Sequence, residues 1–382
     1  MRMLVLGAGL QGSACAYDLL QNPDIALVRL ADVRTGELPA FLQAYAGDPR
    51  LERIAVDAKD EAAVRGAMTG VSACMNALPY YFNLAITRAA IETGTHCCDL
   101  GGNTEIVFQQ LELDGLAKNR GVSVIPDCGL APGMVNILAA AGIREMTSTD
   151  SVRIRVGGLP QHPQPPLNYQ IVYSLEGVLD YYTTRSWVVR DGRRVQVDAL
   201  TEIEPVEFAE PVGLLEAFHT AGGLSTLAWT YEGRVRTMEY KTLRYPGHAQ
   251  IMRAIRDLGL IGKEPVTVRN QSVVPRDVFI ACAEPRLRRP GGRDLVALRV
   301  EVDGEKGGRS ARVVFDLVDW FDEERGISAM ERSTGYSLSV IGQMQATGRV
   351  GQPGVRTPDS AVPDHDYITE LALRGVRIHR SG

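Results

Sequence analysis

The chain has 382 residues, of which 45% are hydrophobic and 23% charged, and its formal net charge is −5. This length suits two domains with sizeable cores, and the composition is that of an ordinary globular protein. The acidic balance argues against a nucleic-acid or membrane partner, and no apolar run reaches the roughly 18 residues of a membrane span. Because an apolar strand begins almost at Met1, we expect no signal peptide and a cytoplasmic location.

The cysteines give no sign of a metal site. There are six, at positions 15, 74, 97, 98, 128 and 282, without a CxxC spacing. We expect free thiols, most of them small core residues of a protein in a reducing compartment. Adjacent Cys97 and Cys98 would point to opposite sides of a strand and could not chelate together. We therefore predict no bound metal.

The first motif is a short apolar run, Met3–Leu6, that breaks into a GxGxxG turn and continues as a helical segment, Leu10–Leu20. This order is what pyrophosphate binding requires. The first glycine permits a tight turn, the second lets the backbone approach phosphate, and the third lets the helix pack on the strand. The free N–H groups at the start of the helix then meet the anion. The predicted dinucleotide contacts here are Gly7, Gly9, Leu10, Gln11 and Gly12.

The second cofactor signal is an acidic residue at the end of the next apolar run. Asp32 follows Gly12 by about 20 residues, where a carboxylate accepts hydrogen bonds from the adenosine ribose. Val33 is predicted to contact the same part of the cofactor. Asp32 would repel a 2′-phosphate, so NAD is predicted rather than NADP. NADP remains an alternative because Arg34, two residues later, could bind that phosphate.

Beyond Asp32, apolar strands and helices alternate to about residue 143, which predicts a doubly wound parallel sheet with helices on both faces. The predicted strands are 53–56, 71–78, 96–100 and 122–126, and the predicted helices are 60–68, 84–93, 104–119 and 132–143. Ligands of such sheets bind beyond the carboxyl ends of the strands. That rule selects Asn76, Ala77, Leu78, Asp99 and Asp127 for contact with cofactor or substrate. Each polar residue among them could instead cap a helix or hold a turn.

Near residue 148 the pattern becomes that of a mostly antiparallel sheet. Hairpins are predicted at 187–197 and at 295–318, the second with an Asp303-Gly304 turn, and between them a strand at 235–245 precedes a helix at 249–258. A helical pattern returns at 335–346. We therefore predict a Rossmann domain at 1–130, a substrate-binding and dimerisation α+β domain at 131–333, and a C-terminal helical segment at 334–382. Open sheet edges favour a homodimer or a higher homo-oligomer.

Two dense polar stretches in the second domain, 215–223 and 240–248, are candidates for chemistry. Side-chain alternation along a strand would put Lys241 on one face and Arg244 on the other, so the two cations should not serve one ligand unless a bulge intervenes. His219 and His248 could instead have a structural role as hydrogen-bonded histidines.

Three stretches are specific enough to point to relatives: PDCGLAPGM at 126–134, EAFHT at 216–220 and YKTLRY at 240–245. With them, the chain resembles the saccharopine dehydrogenase-like family over essentially its whole length. Saccharopine-forming members of that family have Asp where this chain has Ala131. This departure favours the branch of the L-lysine 6-dehydrogenases.

The resemblance implies an NAD-dependent oxidation of L-lysine at its ε-carbon, with release of ammonia and allysine, which cyclises to a piperideine carboxylate. It also implies that the helix after Gly335 returns to the nucleotide domain and that the second domain mediates dimers. The ε-amine must lose a proton before hydride can leave. As the base we predict His219 or Lys241, with His248 next.

The substrate of such an enzyme carries an α-carboxylate and an α-ammonium. The carboxylate needs a planar, two-pronged cation, for which Arg244 is predicted. For the ammonium, three carboxylates compete: Asp99, Glu176 and Glu216. Thr220 and Tyr245 complete the predicted substrate contacts.

Two alternatives stay open. One is a related reductase acting on saccharopine or carboxynorspermidine, whose additional carboxylate would need a second arginine such as Arg185 or Arg286. The other is a regulator that binds NAD without catalysing a reaction. Such a regulator would not need polar side chains to converge in the second domain.

Overall fold

Two β-sheets organise the computed structural model, which describes residues 1–382. The strands of the first part are β1 (Arg2–Leu6), β2 (Leu27–Asp32), β3 (Leu51–Ala55), β4 (Ala73–Asn76), β5 (His96–Asp99) and β6 (Ser123–Ile125). Its helices are α1 (Leu10–Gln21), α2 (Ala40–Gln43), α3 (Glu61–Met68), α4 (Asn83–Thr93), α5 (Thr104–Leu111), α6 (Asp114–Asn119) and α7 (Met134–Glu145).

The second part contributes ten strands: β7 (Ser148–Pro160), β8 (Ser186–Arg190), β9 (Arg193–Val197), β10 (Glu204–Glu207), β11 (Leu214–His219), β12 (Val235–Arg244), β13 (Val266–Val268), β14 (Gln271–Val273), β15 (Asp294–Lys306) and β16 (Arg309–Trp320). Its helices are α8 (Leu175–Thr183), α9 (Leu227–Thr230), α10 (His248–Asp257) and α11 (Pro275–Leu287). The remaining elements are α12 (Ala329–Ala346), β17 (Gly354–Val355), α13 (Pro358–Ala361), α14 (Asp364–Leu373) and β18 (His379–Ser381).

The first sheet has seven strands in the order β17-β6-β5-β4-β1-β2-β3, and every pairing in it is parallel. The second sheet has nine strands along the path β10-β11-β12-β7-β15-β16-β18, with the β8–β9 hairpin attached to β12. Its pairings are antiparallel except that of β12 with β7. The predicted fold class, a doubly wound parallel sheet plus an α+β domain with a mostly antiparallel sheet, is confirmed.

The two faces of the second sheet differ in chemistry. We call inner the face that packs on α7 and α12, where Val152, Ile154, Met238 and Tyr240 join the largest apolar core. The opposite, outer face carries charged side chains on the same strands, because successive residues of a strand point to opposite sides. The register of β12 on β7 places Lys241 beside Arg155 on that outer face.

Helix α12 is shared by both parts of the chain. It packs along α1 and contacts β4 and β5 of the parallel sheet, and it also contacts β15 and β16 of the second sheet. Ser328 caps it and Glu331 completes the capping box, so the helix begins at Ala329, several residues before the predicted start at 335. None of the helices combines the length and apolar character that crossing a bilayer requires.

The predicted Asp303-Gly304 turn is wrong. Both residues lie inside β15, at a shift of register against β7, and a Cβ on Gly304 would lie 2.2 Å from the carbonyl oxygen of Ser148. The absence of a side chain at Gly304 therefore allows β15 and β7 to approach closely. The hairpin turns instead at Gly307 and Gly308, whose φ angles are +59° and +78°.

Candidate active site

The glycine turn between β1 and α1 has the geometry of a pyrophosphate cradle. Gly7 has a φ of +93°, and a Cβ on Gly12 would lie 1.8 Å from the carbonyl oxygen of Gly7. A Cβ on Gly9, in contrast, would meet no heavy atom within 4 Å. No side chain caps the start of α1, so its first N–H groups are free to bind an anion. The residues present fit a dinucleotide.

Asp32 lies at the end of β2 beside this turn. Its carboxylate accepts the N–H of Ala8 at 2.8 Å and the N–H of Arg34 at 3.0 Å. It also lines a cavity of about 370 Å³ that includes Gly9, Arg34 and Arg53. Two further predicted contacts are exposed as a cofactor contact requires, Leu10 by 53% and Val33 by 63%.

A buried chain of hydrogen bonds runs behind the loops that follow β4 and β5. Asn76 donates to Asn83 at 2.9 Å, and Asn83 donates to Asp99 at 2.9 Å. Asp99 also accepts the N–H of Gly101 at 2.8 Å and the side chain of Gln110 at 2.7 Å. Burial raises the pKa of Asp99 to about 6. Asp99 is buried and both its carboxylate oxygens already accept hydrogen bonds within the fold, which disfavours the predicted contact with the substrate ammonium.

Asp127, at the end of β6, is different because one of its oxygens has no partner. Its backbone is left-handed, with a φ of 60°, and its side chain is buried. Ser225 donates its hydroxyl to Oδ2, whereas Oδ1 has no hydrogen-bond partner. Burial raises the pKa of Asp127 to about 7. A buried carboxyl group that is not paired with a cation and titrates near neutrality is typical of a functional site.

The loop that carries Ser225 is anchored beside the carboxyl edge of the parallel sheet. Asn136, near the start of α7, donates to the carbonyl oxygens of Gly223 at 3.3 Å and Leu224 at 3.0 Å. We call residues 222–225 the corner loop. Because Asp127 and Asn136 both bind it, the corner loop has a fixed position relative to the carboxyl end of β6.

A cleft of about 740 Å³ opens where the corner loop meets this edge of the parallel sheet. Tyr80 and Gly102 line it from the nucleotide domain, and Asp180, Tyr181 and Ser225 line it from the second domain. The Tyr181 hydroxyl lies 3.7 Å from the position that a Cβ on Gly102 would occupy. A cleft of this size beyond the carboxyl ends of parallel strands is the expected place for a substrate.

The structure has a second large cavity, of about 760 Å³, between α1, α12 and α14. It includes Met1 and Asp24, and so lies at the amino ends of the parallel strands. Two of the arginines in its wall, Arg349 and Arg374, already pair with Glu370. Its position and its satisfied charges do not suit the chemistry predicted here.

Arg244, at the end of β12, lies on the inner face of the second sheet. It is buried, donates to the carbonyl oxygens of Leu243 at 2.8 Å and Gly158 at 3.4 Å, and lies over the ring of Tyr169 at 4.9 Å. Its Nε has no partner, and no carboxylate pairs with it. A buried cation without an anionic partner is costly. Arg244 is therefore available to an anionic ligand.

His248 does not suit the role of base that was predicted for it. Its Nδ1 lies 3.0 Å from the carbonyl oxygen of Leu167, and its Nε2 lies 2.9 Å from the hydroxyl of Tyr182. A carbonyl can only accept, so Nδ1 carries the proton and Nε2 accepts from the tyrosine. Burial lowers the pKa of His248 to about 3, with Arg244 adding to the effect. The ring is neutral and both nitrogens are occupied.

The structure does not bring the other two predicted bases, His219 and Lys241, to the cleft, because both lie on the outer face. His219 Nε2 lies 3.1 Å from Glu202, and Lys241 donates to the backbone carbonyl of Glu202 at 2.8 Å and pairs with Glu204 at 3.4 Å. They face each other across β11 and β12, so the same alternation that puts Arg244 inside puts them outside. Burial lowers the pKa of His219, which Glu202 partly opposes.

Glu202, His219 and Glu239 form a cluster with metal-ligand geometry, their ligand atoms lying within 4.8 Å of one another. Arg190 already occupies this cluster. Its guanidinium pairs with Glu239 at 2.7 Å and with Glu202 at 2.9 Å. The arginine therefore offsets part of the negative charge that would attract a metal ion and occupies the carboxylate oxygens.

The other predicted substrate residues serve different purposes. Glu216 accepts the N–H groups of Gly247 and Ala249 at 2.9 and 2.7 Å, and so caps α10. Glu176 is exposed in the first turn of α8 and does not line the cleft. The structure therefore brings neither of these carboxylates to the cleft. Tyr245 donates to the carbonyl of Pro160 at 3.0 Å. Thr220 lies on the inner face, where it bonds Thr242 at 2.7 Å.

The comparisons with known proteins agree with this architecture. Residues 3–125 match the model of the saccharopine dehydrogenase NADP binding domain, and residues 129–376 match that of the saccharopine dehydrogenase C-terminal domain. The chain belongs to the saccharopine dehydrogenase family. A saccharopine dehydrogenase (NADP+, L-glutamate-forming) from Schizosaccharomyces pombe is 23% identical over 87% of this chain and 89% of its own.

Two further similarities show the breadth of the saccharopine dehydrogenase family. Carboxynorspermidine synthase from Vibrio cholerae is 22% identical over 95% of this chain and 93% of its own length. The solved structure of the apo L-Glu-forming saccharopine dehydrogenase from Saccharomyces cerevisiae shares the fold, with a TM-score of 0.80 at 21% identity, covering 100% of this chain and 99% of that one. This protein is thus an oxidoreductase that uses a nicotinamide cofactor.

Two residues of this saccharopine dehydrogenase family member were not predicted from sequence, Tyr181 and Ser225. Tyr181 lies on α8, a helix that was not predicted. Ser225 lies two residues after Gly223 and has a φ of 45°, which no pattern of hydrophobicity indicates. Tertiary contacts of α8 and the corner loop bring both residues to the cleft.

Two glycine substitutions should separate folding from cofactor binding. Gly12→Ala should lower the free energy of unfolding by about 1–3 kcal/mol, because its Cβ collides with backbone. Gly9→Ala should change that free energy by less than about 0.5 kcal/mol but weaken dinucleotide binding about tenfold. Urea denaturation and titration of the cofactor by fluorescence measure both effects. Gly66→Ala, in a helix with open space around it, is the control; equal effects of Gly9→Ala and Gly12→Ala would contradict the cradle.

Proposed function

We propose that this protein is an NAD-dependent L-lysine 6-dehydrogenase, which oxidises the ε-amine of lysine and releases ammonia and allysine, the precursor of piperideine-6-carboxylate. The proposal depends on one observation, the absence of a carboxylate partner for the buried Arg244. Of the three buried arginines, Arg276 pairs with Asp180 and Arg332 with Asp319, and only Arg244 has no carboxylate partner. An amino-acid carboxylate would complete it with a two-pronged, charge-assisted hydrogen bond.

The number of free arginines favours a substrate with one carboxylate. Saccharopine carries additional carboxylates, for which Arg185 and Arg286 were the sequence candidates. Arg185 pairs with Asp198 at 2.9 Å and its side chain is 63% exposed, and Arg286 is an exposed residue that bonds the carbonyl of Cys282. Arg185 lines the cleft, but its charge is already paired. Together with Ala131 in place of the Asp of saccharopine-forming members, this supports lysine over saccharopine.

The chain's own residues would divide the work as follows. The α1 turn and Asp32 hold the dinucleotide, which, when bound, accepts hydride from the ε-carbon. Arg244 fixes the α-carboxylate on the inner face of the second sheet. Tyr181 and the corner loop close the cleft around the amine and exclude water from it. Orientation of the reacting carbon by these contacts lowers the entropic part of the barrier.

The substrate assignment can be checked with a panel of amines. NADH absorbance is followed with NAD⁺ and, in turn, L-lysine, ornithine, saccharopine and carboxynorspermidine, and ammonia is measured in parallel. We expect reduction with lysine alone, with one ammonia released for each NADH formed. Turnover of saccharopine or carboxynorspermidine would favour the alternative reductase, and NAD binding without any turnover would indicate a regulator.

The preference for NAD is proposed from Asp32, whose carboxylate would bond the ribose hydroxyls and repel a 2′-phosphate. Asp32→Ala should lower kcat/KM with NAD⁺ about 10- to 100-fold, the equivalent of one or two lost hydrogen bonds to a charged group, and should narrow the difference from NADP⁺. Asp24→Ala removes an exposed carboxylate at the other edge of the sheet and is the control. A wild-type enzyme that prefers NADP⁺ would contradict this assignment.

The role of Arg244 can be tested with a substrate that lacks the carboxylate. Arg244→Lys keeps the positive charge but cannot make the guanidinium's bidentate hydrogen bond to a carboxylate. The kcat/KM for lysine should therefore fall about 10- to 100-fold. The same quantity for 1,5-diaminopentane should change much less. Arg155→Lys, a conservative change on the outer face, should leave both unaltered. An equal loss for the two amines in Arg244→Lys would show that the arginine supports the fold and not the carboxylate.

A further inference from the structure

We infer that Ser225 and Asp127 form a proton relay in which the Ser225 hydroxyl takes a proton from the substrate amine and passes it to the Asp127 carboxylate. The inference rests on the proposed amine oxidation and names the base for it. Oxidation of any primary or secondary amine in this cleft needs such a group, because an ammonium nitrogen has no lone pair with which to expel hydride.

The geometry of the two residues carries this inference. Ser225 lines the cleft, and its hydroxyl donates to Oδ2 of Asp127, which lies behind it at the end of β6. The carboxylate itself is buried and has an unpartnered Oδ1. Access of a substrate proton to Asp127 therefore runs through the serine. The two residues come from different domains and meet only at the corner loop.

No other buried group near the cleft is free to accept the proton. Asp180 also lines the cleft, but it pairs with Arg276 and with Lys263, the latter at 2.8 Å. The neutral His248 ring has both nitrogens engaged, and the carboxylate oxygens of Asp99 are occupied by hydrogen bonds. Glu105 lines the cleft too, but it is exposed to solvent in the first turn of α5, where nothing holds its carboxylate in place. Asp127 is the remaining buried carboxylate, and no arginine, lysine or histidine pairs with it.

The charges around Asp127 suit a base that works near neutral pH. Burial has the largest effect on its pKa, and the carboxyl groups of Asp99 and Asp359 raise it further, whereas the hydrogen bond from Ser225 lowers it. Tyr181 also faces it, with a pKa that burial raises above the ordinary range. The result is a carboxyl group with a pKa of about 7, close to the optimum for general base catalysis.

The proposed step balances as follows. An N–H bond of the ε-ammonium breaks, the serine oxygen takes that proton as its own proton moves to Asp127, and the carboxylate becomes a carboxylic acid. The nitrogen lone pair then forms a C=N bond as hydride leaves the ε-carbon for NAD⁺. The products are an iminium, NADH and protonated Asp127. Water then hydrolyses the iminium to aldehyde and ammonium, and Asp127 returns its proton to solvent.

The first test is the pH profile of kcat/KM. Asp127 must be ionised to accept a proton, so activity should fall about tenfold per unit as pH drops below about 7. Asp127→Asn should lower kcat about 10²- to 10⁴-fold and remove this acid limb. Ser225→Ala should lower kcat but keep an acid limb in the pH profile, because Asp127 is still present in this variant and still titrates. His219→Asn is the control and should keep the wild-type profile, because that histidine lies on the outer face.

The second test does not depend on turnover. In ligand-free protein, infrared difference spectra across the pH titration should show the C=O stretch of a buried carboxylic acid that is lost on ionisation near pH 7. The band should be absent in Asp127→Asn, whose fold is checked by its thermal unfolding. Asp359→Asn, which removes a neighbouring negative charge, should keep the band and lower its midpoint.

The outcomes separate this inference from the proposed function. If saccharopine is oxidised and lysine is not, the lysine assignment fails, and the same pH profile with saccharopine still tests the relay. If Asp127→Asn keeps both the acid limb and kcat, or if the infrared band survives in that variant, the relay is overturned. Loss of the acid limb in His219→Asn would overturn it as well.

Discussion

The corner loop is the contact on which the active-site geometry depends. Asp127 and Asn136, at the carboxyl edge of the parallel sheet, bind Ser225 and two backbone carbonyls of residues 222–225. This fixes the position of the loop relative to the carboxyl end of β6. A cleft between two domains is otherwise free to change its width. Here three hydrogen bonds to one loop set where Tyr181 and Ser225 lie relative to the end of β6.

A second constraint is the alternation of side chains along β12. Tyr240, Thr242 and Arg244 lie on the inner face, whereas Glu239 and Lys241 join the ionic network of the outer face. Pairing of β12 with β7 fixes which set faces inward, because Ile154 and Val156 must enter the apolar core. The polar residues of this stretch are thus divided between a face where Arg244 has no carboxylate partner and a face where ion pairs stabilise the sheet.

Much of the fold could be predicted from the sequence, because apolar periodicity and glycine turns are local signals. The parallel sheet, the nucleotide turn and the separation of Lys241 from Arg244 follow from such signals. Which face of the second sheet packs on α7 and α12 does not, since it depends on pairing between strands distant in sequence. His219, predicted as a base, lies on the opposite face for this reason. Ser225 could not have been found at all, because only tertiary contacts bring it to Asp127.

The last part of the chain has a consequence for how the molecule is assembled. β17 extends the parallel sheet beside β6, and β18 extends the second sheet beside β16, while α12 covers surfaces of both. A fragment ending near residue 130 would therefore expose apolar surface and an unpaired strand edge. During synthesis, neither half can be completed until the final segment has emerged from the ribosome, so cooperative folding of the whole chain must wait for its end.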